Sequence, residues 1–228
     1  MTPSFPWLAG LEHVDWDDTG SILGGCAAAL DAIAGAPETL AALLASLEKD
    51  RHLQGMCERY DFVDKLVLCD LPTAGVRVRL HLYRDGYFDR PHNHRWSFAS
   101  RIIRGQYVHR IFGQDTDFTE DTDPATLRPI HERTEAQGAT YALHHASVHT
   151  VQAAEGTISL LIRGPAARDR FLILDRAAGN SFWVYGAAGE TSAQRASKVM
   201  PSPVLIEAID RVRALTGLAP VTTEEALA

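Results

Sequence analysis

The sequence predicts a mainly β domain, a sandwich or barrel, with α-helices at both ends. Three observations carry this. About nine short runs rich in apolar and β-branched residues, each stopped by a turn signal, follow one another between residues 65 and 185. No helical pattern interrupts them, which disfavours alternating βαβ units. Apolar residues recur at helical spacing only before and after that region.

The first twenty residues carry Trp7 and Trp16 without periodicity. Ile22, Cys26, Leu30 and Ile33 then form a helical stripe that ends at the break Gly35, Ala36, Pro37. Pro37 suits the first turn of a second helix, with the stripe Leu40, Leu43, Leu44 and Leu47. Both helices are expected to pack on the outside of the domain that follows. Strands are expected at 65–69 and 76–83. The second alternates strictly, with Val76, Val78, Leu80 and Leu82 on one face and Arg77, Arg79, His81 and Tyr83 on the other. Further strands are expected at 96–104, 107–112, 128–135, 140–143, 149–153, 157–163, 170–174 and 182–185. A polar loop with five acids occupies residues 113–126. Leu205, Ile209, Val212 and Leu215 form the stripe of a last helix, and the tail after Pro220 is expected to be loose. The expected organisation is a helical extension at 1–60, a β domain at 61–186, and a helical segment with tail at 187–228.

Composition narrows the function. The chain has 228 residues, 46% of them hydrophobic and 22% charged, which is ordinary for a folded domain. A net charge of −7 without a basic run argues against nucleic acid as partner. No run of eighteen apolar residues predicts a membrane span. Acids stand in the N-terminal stretch where a signal peptide has basic residues. Three cysteines, Cys26, Cys57 and Cys69, have no metal-type spacing and read as reduced thiols, so a cytoplasmic location is expected.

Most of the ten histidines lie between His81 and His149. His92 and His94 are one residue apart at the start of an expected strand, so their side chains point the same way. Two such imidazoles suit cis positions on one metal ion, although an HxH pair can also be two hydrogen-bonded or solvated histidines. Gly86 is followed by five residues, then His92, one residue, His94, three residues, Phe98, six residues and Gly105. This spacing resembles the first motif of the cupin superfamily, G-x5-H-x-H-x3/4-E-x6-G. From Gly138, five residues lead to His144, His145 and Ala146, and two more to His149. That is similar to the second cupin motif, G-x5-P-x-G-x2-H-x3-N, with its ligand position kept and its closing Asn replaced by Ala153.

The resemblance covers roughly residues 65–175 and implies a cupin-type double-stranded β-helix, or jelly-roll barrel, with His92, His94 and His149 as metal ligands. His144 or His145 could stand in for His149. The motif's glutamate falls on Phe98, which leaves three neutral imidazoles, as in the cysteine dioxygenase-like branch of the superfamily. That branch carries a tyrosine where Arg163 stands, and its cross-linking cysteine lies near Phe98. The resemblance therefore implies iron while putting cysteine itself in doubt as the substrate. Neutral imidazoles suit Fe(II), and also Zn, Mn, Ni or Cu.

Arg163 follows the apolar Leu160, Leu161 and Ile162, so its guanidinium is expected to need an anion. That anion is either an internal carboxylate, Asp169 or Asp175, or a substrate carboxylate. Arg79, His81, Tyr83 and Lys65 are candidate pocket residues if their faces point inward, and solvated residues otherwise. Tyr83 and His145 are candidate acids or bases, alongside Arg163 as the catalytic arginine. Phe98 and Trp96 read as pocket wall, and His109 and His131 as solvated strand residues.

The expected function is a non-haem Fe(II) oxygenase acting on a small polar, carboxylate-bearing substrate with dioxygen. Alternatives are a 2-oxoglutarate-dependent oxygenase, with Arg163 as the co-substrate's arginine, a non-redox metal-dependent lyase, isomerase or epimerase, and a ligand-binding cupin without catalysis. Cupins are often dimers, so a homodimer is also expected.

Overall fold

The computed structural model describes residues 5–186 and 189–218. The expected loose tail after Pro220 lies outside them. Before the first long helix, residues Pro6–His13 form a 3-10 helix where no periodicity was visible. Helix α1, Thr19–Gly35, starts at Asp18, whose carboxylate accepts from the Gly20 and Ser21 amides and so satisfies two free helix donors. Helix α2, Pro37–Lys49, opens on its proline, and the short α3, Arg51–Gln54, follows. Two further helices close the described chain, α4 at Ser192–Lys198 and α5 at Ser202–Thr216. Among the described residues no single helix is long and apolar enough to cross a membrane.

Among the described residues, eleven strands lie between these helices. One sheet runs β1 (Glu58–Arg59), β2 (Val63–Leu71), β3 (Val76–Tyr83), β9 (Ile158–Arg163), β4 (Phe98–Arg104), β7 (Thr140–Leu143). The other contains β6 (His131–Ala136), β5 (Gln106–Gln114) and β8 (Ser147–Ala153). Bridges from His92 to His149 and to Ile173 continue it to β10 (Arg170–Asp175) and β11 (Asn180–Tyr185). Count β3 as the first strand, the His92 segment as the second, and β4 to β9 as the third to eighth. The sheets then read 1-8-3-6 and 2-7-4-5, the jelly-roll order of two interlocked Greek keys.

The alternation in β3 decides what each face does. Val76, Val78, Leu80 and Leu82 are at most 1% exposed and pack in one cluster with Ile22, Leu30, Leu43 and Leu47 of the helices and with Ile209 and Val212 of α5. Each such side chain contributes roughly 1.5–3 kcal/mol, which fixes the register of the strand. The other face, Arg77 to Tyr83, then has to look between the two sheets.

Two sequence expectations differ from the structure. The strand expected at 96–104 begins only at Phe98, and the histidine pair lies before it in an irregular segment. Side-chain anchors hold that segment where a ladder would have. Asn93, fully buried between the two histidines, donates to Asp115 Oδ2 at 3.0 Å and accepts from the Leu172 amide at 2.7 Å. The strand expected at 128–135 starts at His131, because residues 124–126 coil into a 3-10 turn behind Pro124.

Candidate metal centre

His92 and His94 meet His149, from β8, inside the space between the sheets. The backbone joins them first. His92 and His149 exchange amide–carbonyl hydrogen bonds of 2.9 Å in both directions. Ring centroids of the three imidazoles are 4.8–5.0 Å apart. One ligand nitrogen from each lies within 4.8 Å of the other two. His94 Nε2 and His149 Nε2 are 2.8 Å apart. Two cis nitrogens at about 2.1 Å from one ion would be roughly 3 Å apart, so the spacing fits a shared ion.

The outer nitrogens of His92 and His149 are also fixed. His92 Nδ1 faces the Arg90 carbonyl oxygen at 2.8 Å and donates to it, which leaves Nε2 as the free lone pair. His149 Nδ1 faces His109 Nε2 at 2.9 Å, and His109 Nδ1 faces Glu135 Oε1 at 3.2 Å. A carboxylate, a bridging imidazole and a ligand imidazole thus stand in line, with Arg133 donating to the same carboxylate. Burial holds His94 and His149 well below the ordinary histidine range and brings His92 down to about 4, so all three are neutral, as ligands must be.

The place of the motif's glutamate is filled by Phe98, 2% exposed, whose ring meets His94 edge-on at 5.1 Å. Trp96 stacks on His94 at 4.8 Å. No carboxylate belongs to the triad among the described residues.

The triad opens into a cavity of about 530 Å³ between the sheets. Lys65, Arg79, His81, Tyr83, Trp96 and Phe98 all line it, so the polar face of β3 points inward. Arg163 and His145 are not among the lining residues. The Arg163 guanidinium turns to the end of the sheet instead, where Nη1 donates to the carbonyls of Gly75 (2.9 Å) and Gly164 (2.8 Å). Neither expected carboxylate reaches it, since Asp175 pairs with Arg90. Burial lowers its pKa to about 9, with Arg79 and Arg77 adding to the shift. His145 lies on the far side of the loop before β8, its Nδ1 3.4 Å from Ser97 Oγ, and clusters with His144 and Asp17 rather than with the triad.

His109 is the largest correction. A solvated strand residue was expected, whereas its side chain is fully buried against His149. It stands diagonally across the β5–β8 pair, two places from the position opposite His149. His109 lies near the middle of a strand with Tyr107 and Ile111 on the same inward side, and that parity was the available signal. Glu135, from the neighbouring strand, had none, and His131 is exposed as expected.

No protein-family model matches this chain, and no curated protein does. Three similar solved structures overlap half of it or less. KdgF from Halomonas sp. is 14% identical and covers 50% of this chain and 89% of its own, with a TM-score of 0.37. An RmlC-like cupin from Shewanella frigidimarina is 15% identical over 50% of this chain and 86% of its own, with a TM-score of 0.36. The Fe(II) form of HppE is 14% identical over 46% and 50%, with a TM-score of 0.35. Likeness of this order transfers no activity, and the fold stands on the strand order itself. That order, with three histidines meeting from the second and seventh strands, is the cupin-type jelly roll.

Proposed function

We propose that this protein is a non-haem Fe(II)-dependent oxygenase of the cupin type that acts on a carboxylate-bearing small molecule. One observation carries the reading: three neutral imidazoles, each free to offer one nitrogen, converge on a cavity large enough for a substrate. His92, His94 and His149 would hold the ion. When bound, iron supplies a place for dioxygen and substrate to meet and the redox chemistry to join them.

The chain's own residues supply the rest. The Arg90 carbonyl and the His109–Glu135 pair keep the His92 and His149 rings in one tautomer and one orientation. Trp96 and Phe98 cover the inner side of His94 and keep water from it. Arg79, inside the cavity, takes the substrate-orienting role that the sequence suggested for Arg163. With Arg163 outside the cavity, the sequence argument for 2-oxoglutarate as co-substrate loses its arginine.

Metal analysis of the freshly purified protein, followed by Fe(II) titration and oxygen uptake with and without 2-oxoglutarate, tests this. Substrate-dependent uptake without 2-oxoglutarate is expected. No uptake with any carboxylate in a broad panel would overturn it. A second reading, a non-redox lyase or isomerase, draws on the hydroxyl cluster in the same cavity, where Tyr107 and Tyr141 oxygens are 2.6 Å apart beside Tyr83. Turnover without oxygen, with Zn or Mn in place of iron, is its signature.

A further inference from the structure

The wall that faces the histidines carries three basic side chains. Lys65 of β2 and His81 of β3 are direct cross-strand partners, and Arg79 lies two residues along β3 on the same face. All three line the cavity. Arg79 and His81 are each 8% exposed. Arg79 Nε and His81 Nε2 are buried without a hydrogen-bond partner.

The nearby acids do not satisfy them. Arg77, next on the same face, is neutralised by Asp70 at 2.9 Å. Glu190, in the cavity lining, is paired with Lys198. Glu58 acts on Arg79 and Lys65 through space. Among the described residues no carboxylate forms an ion pair with either. An unpaired buried guanidinium is costly, and here the packed outer face of β3 holds it in place. The rest of the lining mixes apolar side chains, Trp96, Phe98, Leu161, Phe171 and Val184 among them, with the hydroxyls of Tyr107 and Tyr141 and with Arg95. About 530 Å³ falls in the range that encloses a drug-sized ligand, beyond what a three-carbon acid fills.

We propose, on the basis of the metal reading above, that Lys65, Arg79 and His81 form a carboxylate nest, and that the substrate is an amphipathic monocarboxylic acid. Its alkyl or aryl body lies along those apolar side chains and its other end is left to the triad. The nest recognises the acid by charge-assisted hydrogen bonds from Arg79 and Lys65. Trp96, 5.6 Å from the Arg79 guanidinium carbon and stacked on His94, lines the passage between the two ends.

Titration calorimetry with octanoate, phenylacetate and the neutral octanamide tests the proposal. It is run on the protein as purified, after chelation, and on His92→Ala. Both acids are expected to bind one per chain in all three preparations, with octanamide roughly 10- to 100-fold weaker. Arg79→Gln should lose affinity by a similar factor, and Arg79→Lys should regain part of it. A melting temperature of Arg79→Gln at or above that of the parent shows that the loss is not unfolding. If that variant fails to fold, Lys65→Met takes its place with the same expectation. Equal binding of octanoate and octanamide, full affinity in folded Arg79→Gln, or no binding of either acid overturns the nest. Binding that vanishes on chelation also overturns it, because the carboxylate then sits on the metal. Carboxylate binding by a protein that takes up no metal would remove the metal reading and leave the nest.

Discussion

The two inner walls of the cavity differ in how their polar groups are satisfied. On the histidine wall the outer nitrogens of His92 and His149 have fixed partners, through Arg90, His109, Glu135 and Arg133. On the β3 wall, Arg79 and His81 carry buried nitrogens with none. Arg79 and His81 are each 8% exposed and His149 4%, so burial alone does not explain the difference. A wall completed by its own residues is preorganised for something that must be held in fixed geometry, such as an ion. A wall left open is completed by a ligand that comes and goes. Unpaired buried cations persist in a fold only where the surrounding packing holds them, and that cost is of the kind found at binding sites.

The largest expected effect breaks the histidine wall. His92→Ala or His149→Ala should abolish stoichiometric metal binding, measured by elemental analysis of the purified protein. Retained metal in His149→Ala would mean that the second motif supplies a different ligand. A milder version sharpens the same wall. His109→Leu removes the partner of His149 Nδ1 and Glu135→Gln the carboxylate behind it; both leave the three ligands in place and should weaken metal affinity about 10- to 100-fold in a competition titration. Unchanged affinity in both would reduce His109 to a packing residue.

The open wall should respond in the opposite direction. Arg79→Met removes an unpaired buried charge and keeps its volume, so the ligand-free protein should gain about 1–3 kcal/mol in denaturant unfolding. The same change at Arg213, whose guanidinium makes two 2.7 Å bonds to Glu48, should destabilise. A loss of stability in Arg79→Met would show that the arginine is already satisfied and that the two walls do not differ.

These walls were unequally legible in the sequence. The helical stripes, the alternation of β3 and the glycine-to-histidine spacings are local patterns, and they led to the helices, the inner face and the triad. Arg163 misled because its apolar neighbours imply burial but not direction. It sits at the last position of β9, where the sheet ends, and its guanidinium reaches turn carbonyls instead of the cavity. His109 and Glu135 form their contacts only through the β6–β5–β8 register, which depends on the long connection at 115–130 and on a bulge between Ile111 and Gly113. Asn93 was hidden for a similar reason, since its partners lie 22 and 79 residues away.

The smallest effect separates Lys65 from Arg79 within the open wall. Burial lowers the Lys65 pKa to about 8, with Arg79 and Lys198 adding to the shift and Glu58 opposing it; His81 stands opposite and Tyr60 lies under the ammonium at 4.2 Å. A bound carboxylate favours the charged form and raises that pKa. Carboxylate binding therefore takes up a proton above pH 8, and octanoate affinity should fall roughly three- to tenfold between pH 7 and 9. Stability of the free protein has the opposite sign. The folded lysine releases its proton before the unfolded one does, so the cost of the buried ammonium is fully present below pH 8 and is relieved as the pH rises toward the unfolded lysine value. Lys65→Met should flatten both curves while leaving Arg79-dependent binding in place. A pH dependence that survives in Lys65→Met would assign the titration to another group and leave Arg79 as the main cation of the wall.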